Sequence, residues 1–297
     1  MRVGLVLPAR GKLATGSAIG DAAEAAEAAG FASVWSTDHI VFPRDVGFIP
    51  PHTHTDDGEP RWDPHGSWLE AVVALTWAGA RTSTIRLGTA VIVLPIRSVV
   101  HTAKQVASLD FLTGGRVALG VGAGWQPTEF QYLGAEFGDR GKRLSEGIRL
   151  LRACWAEDPI HYRSDYHDLQ DAVMKPKPAQ GAALPILVGG DSPAALRRAA
   201  RLGDGWIASQ LSPEEARHGR QRLHALAAAA GRTTAPEVHL RAPNGAVIDR
   251  ALLDGYRRAG VDELLVDLHH TAESTDEYFR RLRDVGVLAA EAAVVAG

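Results

Sequence analysis

Residues 116–123 read RVALGVGA, and residues 85–93, one helix length upstream, read IRLGTAVIV. Both are largely unbroken apolar runs rather than alternations of apolar and polar residues. A strand with one wet face alternates, whereas a parallel strand covered on both faces does not. Between the two runs, Val99, Ala103, Val106 and Ala107 recur at helical spacing. Strand, helix, parallel strand is therefore the local unit, and it repeats in both directions. Upstream lie the runs 2–8 (RVGLVLP) and 33–38 (SVWSTD); downstream lie 185–190 (PILVGG), 205–209 (GWIAS), 238–243 (VHLRAP) and 263–268 (ELLVDL). Eight strands alternating with helices imply an α/β fold, a (β/α)8 TIM barrel, with a doubly wound open sheet as the alternative.

Punctuation agrees with this pattern. Ser67 with Glu70, Ser212 with Glu215 and Ser274 with Glu277 have the spacing of a capping box, and Pro193 and Pro213 each follow a serine. Gly30, Gly203, Gly231, Gly260 and Gly286 fall where helices should stop. Two stretches lie outside the repeat: 43–66, rich in Pro, Gly and His, after the second strand, and 158–184, read as a small hairpin with a Pro-rich connector, after the fourth. Residues 1–297 are thus expected to form one barrel domain with two insertions, the first overhanging the face where barrels carry function.

With 32 basic and 35 acidic residues the net charge is −3, too little positive field for nucleic acid or an anionic membrane to be the main partner. A lone cysteine, Cys154, rules out an intramolecular disulfide and Cys-rich zinc sites. The opening apolar run is too short to span a bilayer and lacks the features of a signal peptide, so a soluble, cytoplasmic protein with a small-molecule substrate is expected.

Asp38-His39 ends the second strand, and reads either as an acid/base pair or as a cap beside a packed histidine. Gly120-Val121-Gly122-Ala123-Gly124-Trp125 lacks the third glycine spacing of a dinucleotide fingerprint and the Lys of a P-loop. It provides a strand face bare of side chains, for a flat ring or for a tight barrel corner. Gly189-Gly190-Asp191-Ser192-Pro193 leads from strand to capped helix, as an anion site or as an ordinary turn. His52 and His54 with Asp56 and Asp57 lie mid-loop, and no metal is expected there. His269 ends the eighth strand, where it lines a pocket or serves structure, and aromatic residues are scarce enough to mark Trp62, Trp68 and Trp125 as pocket candidates.

Taken in order from about residue 2 to 210, these pieces resemble the bacterial-luciferase-like superfamily. Ser36-Thr37-Asp38-His39, Ile85 to Thr89, Ala107 to Asp110, Gly114 to Val117, Leu119 to Trp125 with Glu129-Phe130, and Gly203 to Trp206 carry the likeness. Lys175 to Pro178 point to its coenzyme F420-dependent oxidoreductases. The resemblance implies a deazaflavin (alternatively FMN) at the C-terminal face, held by Asp38, Thr89, Ala90, Val91, Gly122, Ala123, Gly124, Val188, Gly189, Gly190 and Asp191. It implies a non-proline cis peptide at Ala90–Val91, and His39 as the acid/base with Asp38 near the ring or orienting it. Hydride transfer follows as the expected reaction, with a reduced-FMN monooxygenase or a non-catalytic flavin-binding protein as alternatives. Relatives that oxidise sugar phosphates carry a glutamate where Trp125 stands, so sugar-phosphate oxidation is in doubt. The resemblance also implies a homodimer through 68–82 and 99–113, and allows a separate cofactor reductase as partner.

Overall fold

The computed structural model describes residues 1–44, 66–269, 272 and 274–294. Its strands in chain order are β1 (Arg2–Val6), β2 (Ser33–Ser36), β3 (Arg86–Thr89), β4 (Ile92–Val93), β5 (Val117–Gly122), β6 (Ile160–Arg163), β7 (Asp168–Ala172), β8 (Ile186–Gly189), β9 (Gly205–Ser209), β10 (Glu237–Arg241) and β11 (Glu263–Val266). The parallel strands follow the order β3-β2-β1-β11-β10-β9-β8-β5, and β5 pairs back onto β3, which closes the sheet. With β4 continuing β3, this is an eight-stranded barrel, and the open-sheet alternative falls. β6 and β7 form the antiparallel hairpin expected within 158–184.

Around the barrel lie α1 (Gly16–Ala28), α2 (Ala71–Arg81), α3 (Val99–Leu112), α4 (Pro127–Tyr132), α5 (Arg140–Trp155), α6 (Pro193–Leu202), α7 (Pro213–Ala229), α8 (Arg250–Ala259) and α9 (Thr275–Val294). Unbroken apolar runs are explained by two cores. Val6, Trp35, Ala90, Ala118, Leu187, Ile207 and Leu265 fill the barrel, while Val117, Leu119, Val121, Ile186 and Val188 pack outward beneath the helices. Successive side chains on a strand alternate between these cores, so both faces demand apolar residues.

At the N-terminal end the barrel is plugged by polar groups. Glu263, buried, accepts from Ser33 Oγ and from Arg2 Nε (3.1 Å), and Trp35 Nε1 donates to Ser33 Oγ (2.6 Å). Gly4 makes the room: a Cβ there would lie 2.7 Å from Trp35 Nε1 and 2.8 Å from Glu263 Oε1.

Several boundaries differ from expectation. The Ser212–Glu215 capping box forms, but at α2 Glu70 itself caps the helix, accepting from Val73 N–H, so the helix starts later than Ser67. Gly30, Gly231 and Gly260 take positive φ at helix ends, whereas Gly203 stays extended at φ −91°. Gly286 stops nothing; α9 runs through it, and the glycine instead admits Ala29, whose Cβ would lie 2.5 Å from a Cβ at this position. Among the described residues no helix is long and apolar enough to cross a membrane.

Candidate active site

The C-terminal ends of the strands converge on a cavity of about 600 Å³, within the usual range for a small-molecule site. β2 ends at Ser36, two residues earlier than expected, and releases Asp38 and His39 to different tasks. Asp38 is buried and accepts from Arg97 Nη2 (2.6 Å), Arg97 Nε (3.2 Å) and the N–H of Val93 (3.0 Å). Its carboxylate therefore fastens the end of β2 to the end of β4; it does not orient His39. That role falls to Glu129, whose Oε2 lies 2.8 Å from His39 Nδ1 and whose Oε1 accepts from the N–H of Ile40 (2.7 Å). Burial would raise the Glu129 carboxyl, but the hydrogen bond and charge of His39, with the N–H groups of Ile40 and Val41, carry it below its ordinary value. An ionised Glu129 requires a proton on His39 Nδ1. Nε2 is left as the nitrogen that exchanges protons with anything bound beside it.

Aromatic rings pack around the imidazole. Phe42, Trp68 and Trp125 have centroids 4.4, 4.9 and 5.4 Å from that of His39. Trp68 and Trp125 line the cavity, as proposed from their scarcity, and Trp62 lies outside the described residues.

Across from this cluster is a wall of backbone and one valine. From Gly88 to Ile92 the β3–β4 strand advances four residues while its partner advances three, Ala118 to Val121, so one extra residue bulges inward. The Ala90–Val91 peptide at the bulge is cis. A Cβ at Gly122 would lie 2.6 Å from Val91 Cγ2, and one at Gly189 would lie 2.8 Å from Val91 Cγ1. The glycines thus accommodate Val91, which with Ala90, Gly122, Ala123 and Gly124 forms the flat face toward the cavity. Both readings of the glycine run meet here: it turns a tight corner, and the corner presents a flat surface.

Beyond β8, Gly190 (φ +113°) turns the chain into α6, where Ser192 Oγ accepts from Ala195 N–H. Arg198, one turn into α6, donates to Ser145 Oγ and to the carbonyl of Gly141, both at 2.9 Å. Arg140 donates to the carbonyls of Gly124 and Phe137. Neither guanidinium has a carboxylate partner among the described residues, so positive charge and a helix N-terminus converge at one end of the cavity. Asp191 shares that end. Water reaches its side chain, yet crowding by protein, offset in part by the N–H of Ser209, pushes its carboxyl up to about 6.

On the β10–β11–β1 side, Asp267 accepts from Arg10 Nη2 (2.9 Å) and Arg241 Nη2 (3.2 Å). His269 Nε2 accepts from Arg10 Nε (2.9 Å), with Nδ1 2.6 Å from Asp267 Oδ1. Burial lowers Arg10 to about 10, the charge of Asp267 opposing the shift and that of Arg241 reinforcing it.

Three expected residues do not reach the cavity. Thr89 spends its hydroxyl on Gly120, donating to the carbonyl (2.7 Å) and accepting from the N–H (2.9 Å). Val188 points to the outer core because its neighbour Leu187 points in. His269 sits behind Arg10 and positions it. His52, His54, Asp56 and Asp57 lie outside the described residues, and among those described no group of His, Cys, Asp or Glu could hold a metal ion. Reading by strand ends missed Glu129, Arg97, Arg198, Arg10 and Arg241. Glu129 stood within the quoted likeness, and its distance of 90 residues from His39 hid its role.

A family model described as luciferase-like monooxygenase matches residues 1–250. An uncharacterized protein of Mycobacterium tuberculosis is 37% identical over 227 residues, covering 76% of this chain and 77% of that relative. An F420-dependent glucose-6-phosphate dehydrogenase of Kineococcus radiotolerans is 33% identical over 202 residues, covering 67% of this chain and 52% of the relative. Among solved structures, an F420-dependent secondary alcohol dehydrogenase in complex with an F420-acetone adduct superposes with a TM-score of 0.76 at 17% identity, covering 96% of this chain and 98% of its own. The monooxygenase RslO1 from Streptomyces bottropensis gives 0.74 at 22% identity, covering 96% and 98%. At these identities the two structures support the fold alone.

Proposed function

This chain belongs to the luciferase-like monooxygenase family, and we propose that it is an F420-dependent oxidoreductase that moves a hydride between coenzyme F420 and a small organic substrate. The observation that carries the proposal is His39, with Nδ1 committed to Glu129, standing at the wall of a cavity otherwise built of backbone and aromatic surface. The relatives named F420-dependent glucose-6-phosphate dehydrogenase, 32–33% identical, favour the deazaflavin over FMN.

The residues present fit the cofactor. Arg198 and Arg140, bonded among the described residues only to neutral oxygens, together with the Gly189–Gly190 turn and Ser192, would hold its phosphate. Val91 and the backbone of Gly122 to Gly124 would support one face of its ring. When bound, the deazaflavin supplies or accepts the hydride. This chain's residues do the rest. Glu129 orders His39, His39 Nε2 takes or gives the substrate proton, and Trp68, Trp125 and Phe42 keep water from the imidazole. Exposed apolar residues on α2 and α3, Val73 and Trp77 with Phe111 and Leu112, support a homodimer through these helices.

Titration of the purified protein with coenzyme F420 and with FMN tests the cofactor. Micromolar binding of coenzyme F420 is expected, and binding of FMN alone would overturn the proposal. With a substrate in hand, His39→Ala should lower turnover by roughly 10²–10⁴ while cofactor binding persists. Unchanged turnover would overturn the assignment of His39 as the proton-transfer group, and absence of turnover in the parent with every substrate tried would favour the non-catalytic alternative.

A further inference from the structure

We infer that the substrate carries a carboxylate, and that Arg241, supported by Asn244 and by Arg10 behind it, is the group that selects it; this rests on the oxidoreductase reading above.

The barrel divides its mouth into two halves. Over β3–β5–β8 lie the valine–glycine wall and the Arg198 end, which together account for a flat ring and its phosphate. Over β2–β1–β11–β10 lie His39, Trp68, Arg10 and Arg241, which the placement of ring and phosphate proposed above leaves to the substrate. A substrate meeting His39 therefore extends along this second half.

Among the described residues Arg241 has one acceptor, Asp267 Oδ2 at 3.2 Å, and that oxygen already takes the shorter bond from Arg10. Arg241 Nε is buried with no hydrogen-bond partner. A guanidinium whose one acceptor among the described residues is shared retains donors on its terminal nitrogens for another oxyanion. Its side chain remains 18% exposed and lines the cavity.

Asn244 adds a neutral donor beside it. Its own N–H donates to Gln210 Oε1 (2.7 Å), which leaves Gln210 Nε2 to donate to Asn244 Oδ1 (3.2 Å). The carboxamide oxygen is thereby used, and Nδ2 is the atom left for a ligand. Arg10 lies over the Trp68 ring, 5.2 Å from its centroid, so cation and aromatic surface are continuous. An apolar body against Trp68 with a carboxylate at Arg241 matches that sequence of groups. The planar fork of Arg241 matches the two coplanar oxygens of a carboxylate.

Benzoate and its neutral isostere benzamide probe the site by calorimetry, with inorganic phosphate as a third ligand and coenzyme F420 titrated separately. Benzoate is expected to bind at least about tenfold more tightly than benzamide at neutral pH. Arg241→Leu should bring the ratio near one, and Arg241→Lys, which keeps charge but loses the planar fork, should restore it in part. Coenzyme F420 affinity should stay unchanged in both variants, which also shows that they fold. No preference for benzoate in the parent, a preference that survives Arg241→Leu, or phosphate displacing benzoate from the Arg241 site each overturns the carboxylate assignment. Failure of coenzyme F420 to bind overturns the functional reading instead, so the two failures are separable.

Discussion

Replacing Glu129 by Gln tests whether this carboxylate governs His39. Its side chain is 1% exposed, so little solvent screening weakens its contacts. In the variant, the amide oxygen can still accept from Ile40 N–H, which puts the amide NH2 toward His39 Nδ1. The imidazole must then accept at Nδ1 and carry its proton on Nε2, the reverse of the parent. Loss of a charge-assisted hydrogen bond of this kind costs about 1.5–3 kcal/mol, and the retained amide contact places Glu129→Gln near the lower end. Glu129→Ala also removes the acceptor that lies 2.7 Å from the Ile40 N–H, and should cost more than Glu129→Gln.

The sign of the pH dependence follows from the lowered Glu129 carboxyl. A carboxyl depressed on folding contributes stability that is fully present above its unfolded value, about 4.3, and is lost as pH falls through its folded value. The parent should therefore exceed Glu129→Gln in thermal midpoint at pH 7, and the gap should narrow as pH falls below about 4.3 and close through the lowered folded value. Nitrogen NMR of the His39 ring reports the tautomer directly, without a substrate. An unchanged tautomer, or a stability gap that persists into acid, would refute the assignment of Glu129 as the group that positions His39.

Asp191, raised to about 6 beside the N-terminus of α6, predicts that inorganic phosphate binds more tightly as pH falls through 6, because the competing carboxylate is neutralised. Asp191→Asn should remove that step, leaving only the titration of phosphate itself, and should bind phosphate more tightly than the parent at pH 7.5; equal pH profiles by calorimetry would contradict it. The same raised carboxyl opposes folding as pH rises from about 4 through 6, so Asp191→Asn should gain stability over the parent in that window. Phe111→Asp combined with Leu112→Asp, at side chains 57% and 75% exposed, should convert a dimer to a monomer in sedimentation with little change in thermal midpoint. A monomeric parent, or a double variant that remains dimeric, removes α3 from the interface.

Much of this molecule is written locally. Runs such as RVALGVGA can be satisfied only where both faces are covered, and the glycine and serine signals around them depend on φ and on nearby N–H groups. Strand number, helix positions and the location of His39 at a strand end follow from such short-range chemistry, as does the likeness to a family. Contacts set by barrel closure do not. Asp38 and His39 are adjacent in sequence, yet one is drawn to Arg97 and the other to Glu129, because successive residues leaving β2 face different neighbours. Thr89 and Val188 looked equivalent to Ala90 and Gly189 until pairing with β5 and the inward turn of Leu187 assigned their faces. The glycines of β5 were legible as missing side chains, but their occupant, Val91, comes from the bulge on the neighbouring strand. Periodicity encodes which face is apolar; only the closed sheet, by fixing register between distant strands, determines which charges meet at its mouth.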